Sequence, residues 1–281
     1  MASSHDDERP HLVASDLDGT LLRSDGSVSA RTGEVWSALA GAGVETVVVT
    51  ARPPRWLHHL SDIVGGTRDA HSVAICGNGA FVYDVADRVV LESHGFEPGV
   101  ARGLVGDLLR EFPNAGAAVE TDRGMYRTRA YPDQHVGEPG HDTAVGDVTD
   151  CELAELPDDL VVGKILIRDE AWSDDAFVVD VTQCLGERGV LAYSGAGGLA
   201  EISAPGVTKA VRLEAWCLER GIGRETVWAF GDMPNDLPML DWAGRGVAVA
   251  NAHEDVLAAA DDRCAANDED GVAEYLARRL L

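Results

Sequence analysis

The sequence predicts an α/β protein: a doubly wound, mostly parallel sheet with helices on both faces, split by an inserted α+β domain. Three observations lead there. Short apolar or β-branched runs alternate with helical patterns in the first third of the chain and again after about Gly197. The alternation lapses between them. Polar and charged residues cluster just past the ends of the predicted strands, where an open parallel sheet binds its ligands.

His11 to Ser15 reads as a buried strand because it is short, apolar and followed by turn residues. Residues 29–41 read as a helix, with Val35, Trp36, Leu39 and Ala40 at helical spacing and Gly41 and Gly43 closing it. Val44 to Thr50 is a β-branched strand, and Pro53-Pro54 starts a helix through Trp56, Leu57, Leu60 and Ile63. Ser72 to Cys76 is the next strand, ended by Gly77-Asn78-Gly79. Phe81 to Asp84 and Arg88 to Glu92 read as paired short strands. The middle third mixes helices near 99–112 and 173–187 with strands near 125–130 and 161–168, and has a polar loop over 132–147. Strands at 199–203, 226–230 and 246–250 then interleave with helices at 207–220, 234–240, 253–260 and 270–280. The outline is Rossmann-like, with the core expected over 1–84 and 195–281 and the insert over 85–194.

Composition narrows the partners. The 281 residues carry a formal net charge of −25, which argues against nucleic acid and anionic membrane. No apolar run is long enough to span a bilayer, and no signal peptide opens the chain. Cys76, Cys151, Cys184, Cys217 and Cys264 are scattered and odd in number, which fits reduced thiols in the cytoplasm. A monomer or a homodimer fits equally well. Of 23 basic residues only Lys164 and Lys209 are lysines, so each invites a specific role.

Four segments carry chemistry. Asp16 and Asp18, two apart at a strand end, point to the same side before Gly19 and Thr20 turn the chain. Thr50-Ala51-Arg52 follows the second strand. Lys209 opens a helix after Ser203-Ala204-Pro205-Gly206, and Gly231-Asp232-Met233-Pro234-Asn235-Asp236 follows a further strand. So many acids at one sheet edge call for a divalent cation, and magnesium with a phosphate is the economical choice.

These segments, in this order, resemble the haloacid-dehalogenase (HAD) superfamily of phosphatases, and within it the Cof-type branch with an α/β cap, subclass IIB. DLDGTLL matches the family's first motif. Thr50 matches the second, with Ala51 where that branch commonly has glycine. Gly206 to Ala210 resembles the third and GDMPND the fourth. Ile75 to Ala80 resembles the branch's N-G-A turn, and Asn267 to Ala273 its C-terminal signature. The resemblance implies an Mg2+-dependent phosphomonoester hydrolase acting on small phosphorylated metabolites, sugar or polyol phosphates being the favoured class. It implies Asp16 as the nucleophile that forms an aspartyl-phosphate, and Asp18 as acid and base. It implies Thr50 and Lys209 on the phosphoryl oxygens, and the metal on Asp16, Asp18 and Asp232. Asn235 and Asp236 would orient metal waters or phosphate, with Asp236 a candidate ligand. Arg52 would reach substrate or pair with an acid, and Asn78 would contact ligand or make a turn. Arg127, Arg129 and Lys164 are the insert's candidates for substrate contact. His135 and His141 carry only a weak case for a second metal. A phosphomutase on the same core, a silent phosphate-binding regulatory module and a Schiff-base phosphonate hydrolase using Lys164 are the alternatives.

Overall fold

The computed structural model describes residues 9–60, 73–132, 148–169, 171, 176–192 and 198–281. Its first sheet has eight strands in the order β14-β13-β12-β1-β2-β3-β4-β5. These are β1 (Leu12–Ser15), β2 (Glu45–Val49), β3 (Val73–Cys76), β4 (Phe81–Asp84), β5 (Val89–Ser93), β12 (Val227–Gly231), β13 (Arg245–Ala248) and β14 (Asp262–Arg263). All pairings from β14 to β3 are parallel, and β4 and β5 add an antiparallel edge. Leu12, Val13 and Ala14 are fully buried, as expected of a central strand covered on both faces.

β1 sits between β2 and β12, so the chain winds one way from β1 through β2 and the other way through β12. Helices Ala30–Gly41 and Gly271–Leu280 pack together, as do Lys209–Glu219 and Leu237–Trp242. Right-handed crossovers place the two pairs on opposite faces of the sheet. The reversal of winding at β1 opens a crevice at its carboxyl end.

The second sheet has the order β10-β11-β9-β6-β7-β8, where β6 is Gly116–Thr121, β7 Gly124–Arg127, β8 Val148–Asp150, β9 Val162–Arg168, β10 Val190–Ala192 and β11 Leu199–Ser203. Helices Pro98–Glu111 and Ala176–Leu185 cover one face, packing Leu104, Leu108, Phe177 and Val181 on Val119, Ile165, Ile167 and Ile202. Strand alternation turns Glu120, Lys164 and Glu201 to the other face, where all three are nevertheless buried.

The strands correct the expected partition in two places. Val89–Ser93, read as part of the insert, bonds to β4 in the eight-stranded sheet. Leu199–Ser203, read as core, lies between β10 and β9 in the six-stranded sheet. We therefore propose that the cap begins near His94 and ends near Ala204. The expected helix from Pro54 is a tighter 3-10 turn over Pro54–Leu60; Ile63 lies outside the described residues, as do His135 and His141. The strand expected over 125–130 stops at Arg127.

Candidate active site

The carboxyl ends of β1, β2 and β12 are level, because Ser15 is in register with both Val48 and Phe230. Asp16 therefore leaves the sheet beside Thr50 and Asp232, and its N–H still donates to Phe230 O at 3.0 Å. The turn after it brings Thr20 Oγ1 to Asp232 Oδ1 at 2.9 Å. Gly19 has φ +74°, and a Cβ there would lie 2.3 Å from Asp232 Oδ2. Only glycine lets this turn close on the carboxylate.

Lys209 enters from the far side. Thr208 caps its helix by accepting the Val211 N–H, so Lys209 is the first helical residue and its side chain reaches inward. The ammonium lies 2.6 Å from Asp16 Oδ1 and 2.7 Å from Asp236 Oδ1. Asp236 is completely buried, and its Oδ2 accepts the N–H groups of Asp232 and Met233, each at 3.1 Å. It thus fixes both the lysine and the Asp232 turn.

Burial pushes the Asp16 carboxyl well above the ordinary range, and Asp236, Asp232 and Asp18 add to this against the pull of Lys209. Asp232 is raised to about 6, first by burial and then by Asp236. Burial opposes the charge on Lys209, but Asp16 and Asp236 outweigh it and push its pKa up. Asp16, Asp232 and Asp236 offer oxygens within 4.8 Å of one another. Asp236 already carries three hydrogen bonds, whereas Asp16 Oδ2 and Asp232 Oδ2 accept none from the described residues. Two carboxylate oxygens without a hydrogen bond from the described residues, on largely buried aspartates at two strand ends, fit a hard divalent cation.

Asp18 stands apart, its side chain 56% exposed. Arg52 grips it with both arms, Nε to Oδ2 at 2.8 Å and Nη2 to Oδ1 at 2.6 Å. The Arg52 backbone N–H donates to Thr50 Oγ1 at 3.1 Å, which leaves the threonine O–H to donate outward. Asn235 Nδ2 donates to Asn78 Oδ1 at 3.3 Å, joining two further expected residues. Of the insert's two candidate arginines, Arg127 pairs with Asp150 at 2.7 Å and Arg129 is exposed in the turn beyond β7. Lys164 bonds Ala51 O at 2.8 Å and Glu201 at 2.6 Å.

Several supporting residues were not singled out from the sequence. Asn251 Nδ2 donates to Gly19 O at 2.7 Å, and Asn267 Nδ2 to Leu22 O at 2.9 Å, so both amides hold the turn after Asp16. Arg55 of the 3-10 turn and Glu120 of β6 form a buried two-armed ion pair between the sheets. Only the C-terminal segment containing Asn267 carried a signal, through its resemblance.

The family model for haloacid dehalogenase-like hydrolases matches residues 13–276. The chain belongs to this family. This haloacid dehalogenase-like hydrolase is 29% identical to the 5-amino-6-(5-phospho-D-ribitylamino)uracil phosphatase YitU of Bacillus subtilis, over 95% of the chain and 97% of that protein. It is 28% identical to the pyridoxal phosphate phosphatase YbhA of Escherichia coli, over 96% of the chain and 98% of the relative. A solved haloacid dehalogenase-like hydrolase from B. subtilis superposes with a TM-score of 0.79 at 25% identity, covering 96% of this chain and 100% of the other. The expectation of a phosphoric monoester hydrolase agrees with the family and with both relatives' names. Among the described residues no helix is long and apolar enough to cross a membrane.

Proposed function

We propose that the protein is an Mg2+-dependent phosphomonoesterase acting on a small sugar or polyol phosphate through an aspartyl-phosphate. The observation that carries this reading is the pairing of a buried Asp16, fixed by Lys209, with an exposed Asp18, fixed by Arg52. One carboxylate is shielded for attack, and the other stands open to leaving group and water.

In the first step an Asp16 oxygen attacks phosphorus, the bond to the ester oxygen breaks, and Asp18 gives that oxygen its proton. In the second, Asp18 takes a proton from water as the water oxygen attacks phosphorus, releasing phosphate and restoring Asp16. Lys209 and the Thr50 hydroxyl hold the equatorial oxygens. Arg52 Nη1, Asn78 Nδ2 and Asn235 Oδ1 are buried without a partner among the described residues, and we assign them to the phosphate and the substrate's hydroxyls. Asp16, the Asp18 carbonyl and Asp232 would hold the metal, which supplies positive charge against the incoming phosphate. Asp236 instead anchors Lys209. The ribityl phosphate named for the B. subtilis relative supports a polyol phosphate as substrate.

A panel of phosphorylated metabolites assayed for phosphate release tests this. Sugar and polyol phosphates should release phosphate with Mg2+ and not with chelator. An isomeric phosphate ester without free phosphate would replace the reading with a mutase.

A further inference from the structure

Lys164 belongs to the six-stranded sheet, yet its ammonium ends on the core, 2.8 Å from Ala51 O. That carbonyl shares its peptide group with the Arg52 N–H, which donates to Thr50 Oγ1 at 3.1 Å. One peptide plane is therefore held at both ends, by a cap ammonium on its oxygen and by a site hydroxyl on its nitrogen. Arg52, which begins at that plane, grips Asp18. A cation on the C=O polarises the amide and strengthens the N–H as a donor. It also fixes the plane, and so both the Thr50 hydroxyl and the start of the Arg52 side chain.

Lys164 is itself aimed. Glu201 on the neighbouring strand accepts its second hydrogen bond at 2.6 Å, and both side chains are more than nine-tenths buried. The buried Arg55–Glu120 pair ties the same two parts of the molecule beside it, Glu120 being opposite Lys164 across β6 and β9. A lysine serving packing alone would need Glu201 but not the carbonyl of the Ala51–Arg52 peptide.

We propose that Lys164 is a positioning residue for the reaction: it docks the cap on the Ala51–Arg52 peptide and thereby sets the Thr50 hydroxyl and the Arg52–Asp18 pair. This rests on the phosphatase reading above. Removing Lys164 alone strands a buried Glu201, so the informative variant is the double substitution Lys164→Met with Glu201→Gln, which takes out both charges at similar volume.

The experiment is a cycle with Thr50→Val, using p-nitrophenyl phosphate and Mg2+, with thermal melts of every variant. Wild-type turnover is read first; its absence would count against the phosphatase reading and not specifically against this one. With the wild type active, the double variant should keep its melting transition and lose about 10- to 100-fold in kcat, the scale of a misplaced catalytic group. In the Thr50→Val background the same two substitutions should cost less than a third of that factor, because their effect runs partly through the missing hydroxyl. An unchanged kcat, or equal losses in the two backgrounds, would overturn the proposal and leave Lys164 as packing.

Discussion

At the scale of single residues, the site rests on carboxylates held in different states. Asp16→Asn keeps the shape but removes the charge of the proposed nucleophile, while Asp236 still holds Lys209. We expect kcat to fall below about one ten-thousandth of wild type, the scale seen when a nucleophile is removed, with a near-native melt. A kcat within tenfold of wild type would exclude Asp16 as nucleophile. Asp236→Asn should behave in the opposite way. An amide there must turn its NH2 against either the Lys209 ammonium or the two N–H groups of Asp232 and Met233. Loss of one partner in a buried charged network costs about 3–5 kcal/mol, so urea unfolding should show a loss of that order. A loss under about 1 kcal/mol would mean that Asp236 is not the anchor described.

At the scale of elements, turns and helix starts aim these side chains. The Gly77–Gly79 turn packs on the residue before Lys209 so closely that a Cβ on Gly79 would lie 2.3 Å from Thr208 O, and Gly79 has φ +104°. Gly79→Ala should therefore push the Asn78 turn from the Lys209 helix, costing about 1–3 kcal/mol of stability and lowering turnover. Unchanged melting and turnover together would show that the contact is slack. Such a turn is legible in a sequence because it is local, and so were the central strands, whose burial on both faces leaves unbroken apolar runs such as Val47 to Val49. β6 was not legible. Gly116-Ala117-Ala118-Val119-Glu120-Thr121 is poor in β-branched residues, and it is a strand because β7 and β9 pair with it on either side. Leu199–Ser203 was legible as a strand but not as a member of one sheet, since its pattern suits either and only its antiparallel partners decide. The four motifs could be read because each sits at a strand end or helix start. The Arg55–Glu120 and Lys164–Ala51 contacts could not, because they depend on how two separately built sheets meet.

At the scale of the whole molecule, a chain of net charge −25 buries a set of acids at its centre, and pH and metal should control its stability together. Asp232, raised to about 6 first by burial and then by Asp236, has a folded pKa above the unfolded value of about 3.9. Its protonated form is the one that folding favours. The stability it contributes is present in full below about pH 4 and is lost as pH rises through about 6. The gap corresponds to about 3 kcal/mol, and Asp16, raised for the same reason, adds in the same direction. A divalent cation binds the ionised carboxylates and not the protonated ones, so it offsets this loss only at the higher pH. The gain in melting temperature on adding Mg2+ to chelator-treated protein should accordingly be several degrees larger at pH 7.5 than at pH 5, at about 2–4 °C per kcal/mol for a chain of this length. Asp232→Asn separates this effect from the titration of the surface acids. It should melt above the wild type in chelator at pH 7.5, because it buries no charge, and should gain much less from Mg2+. If the wild type gained equally at both pH values, or if Asp232→Asn kept the full gain, the metal would not be held by the buried acids at the ends of β1 and β12.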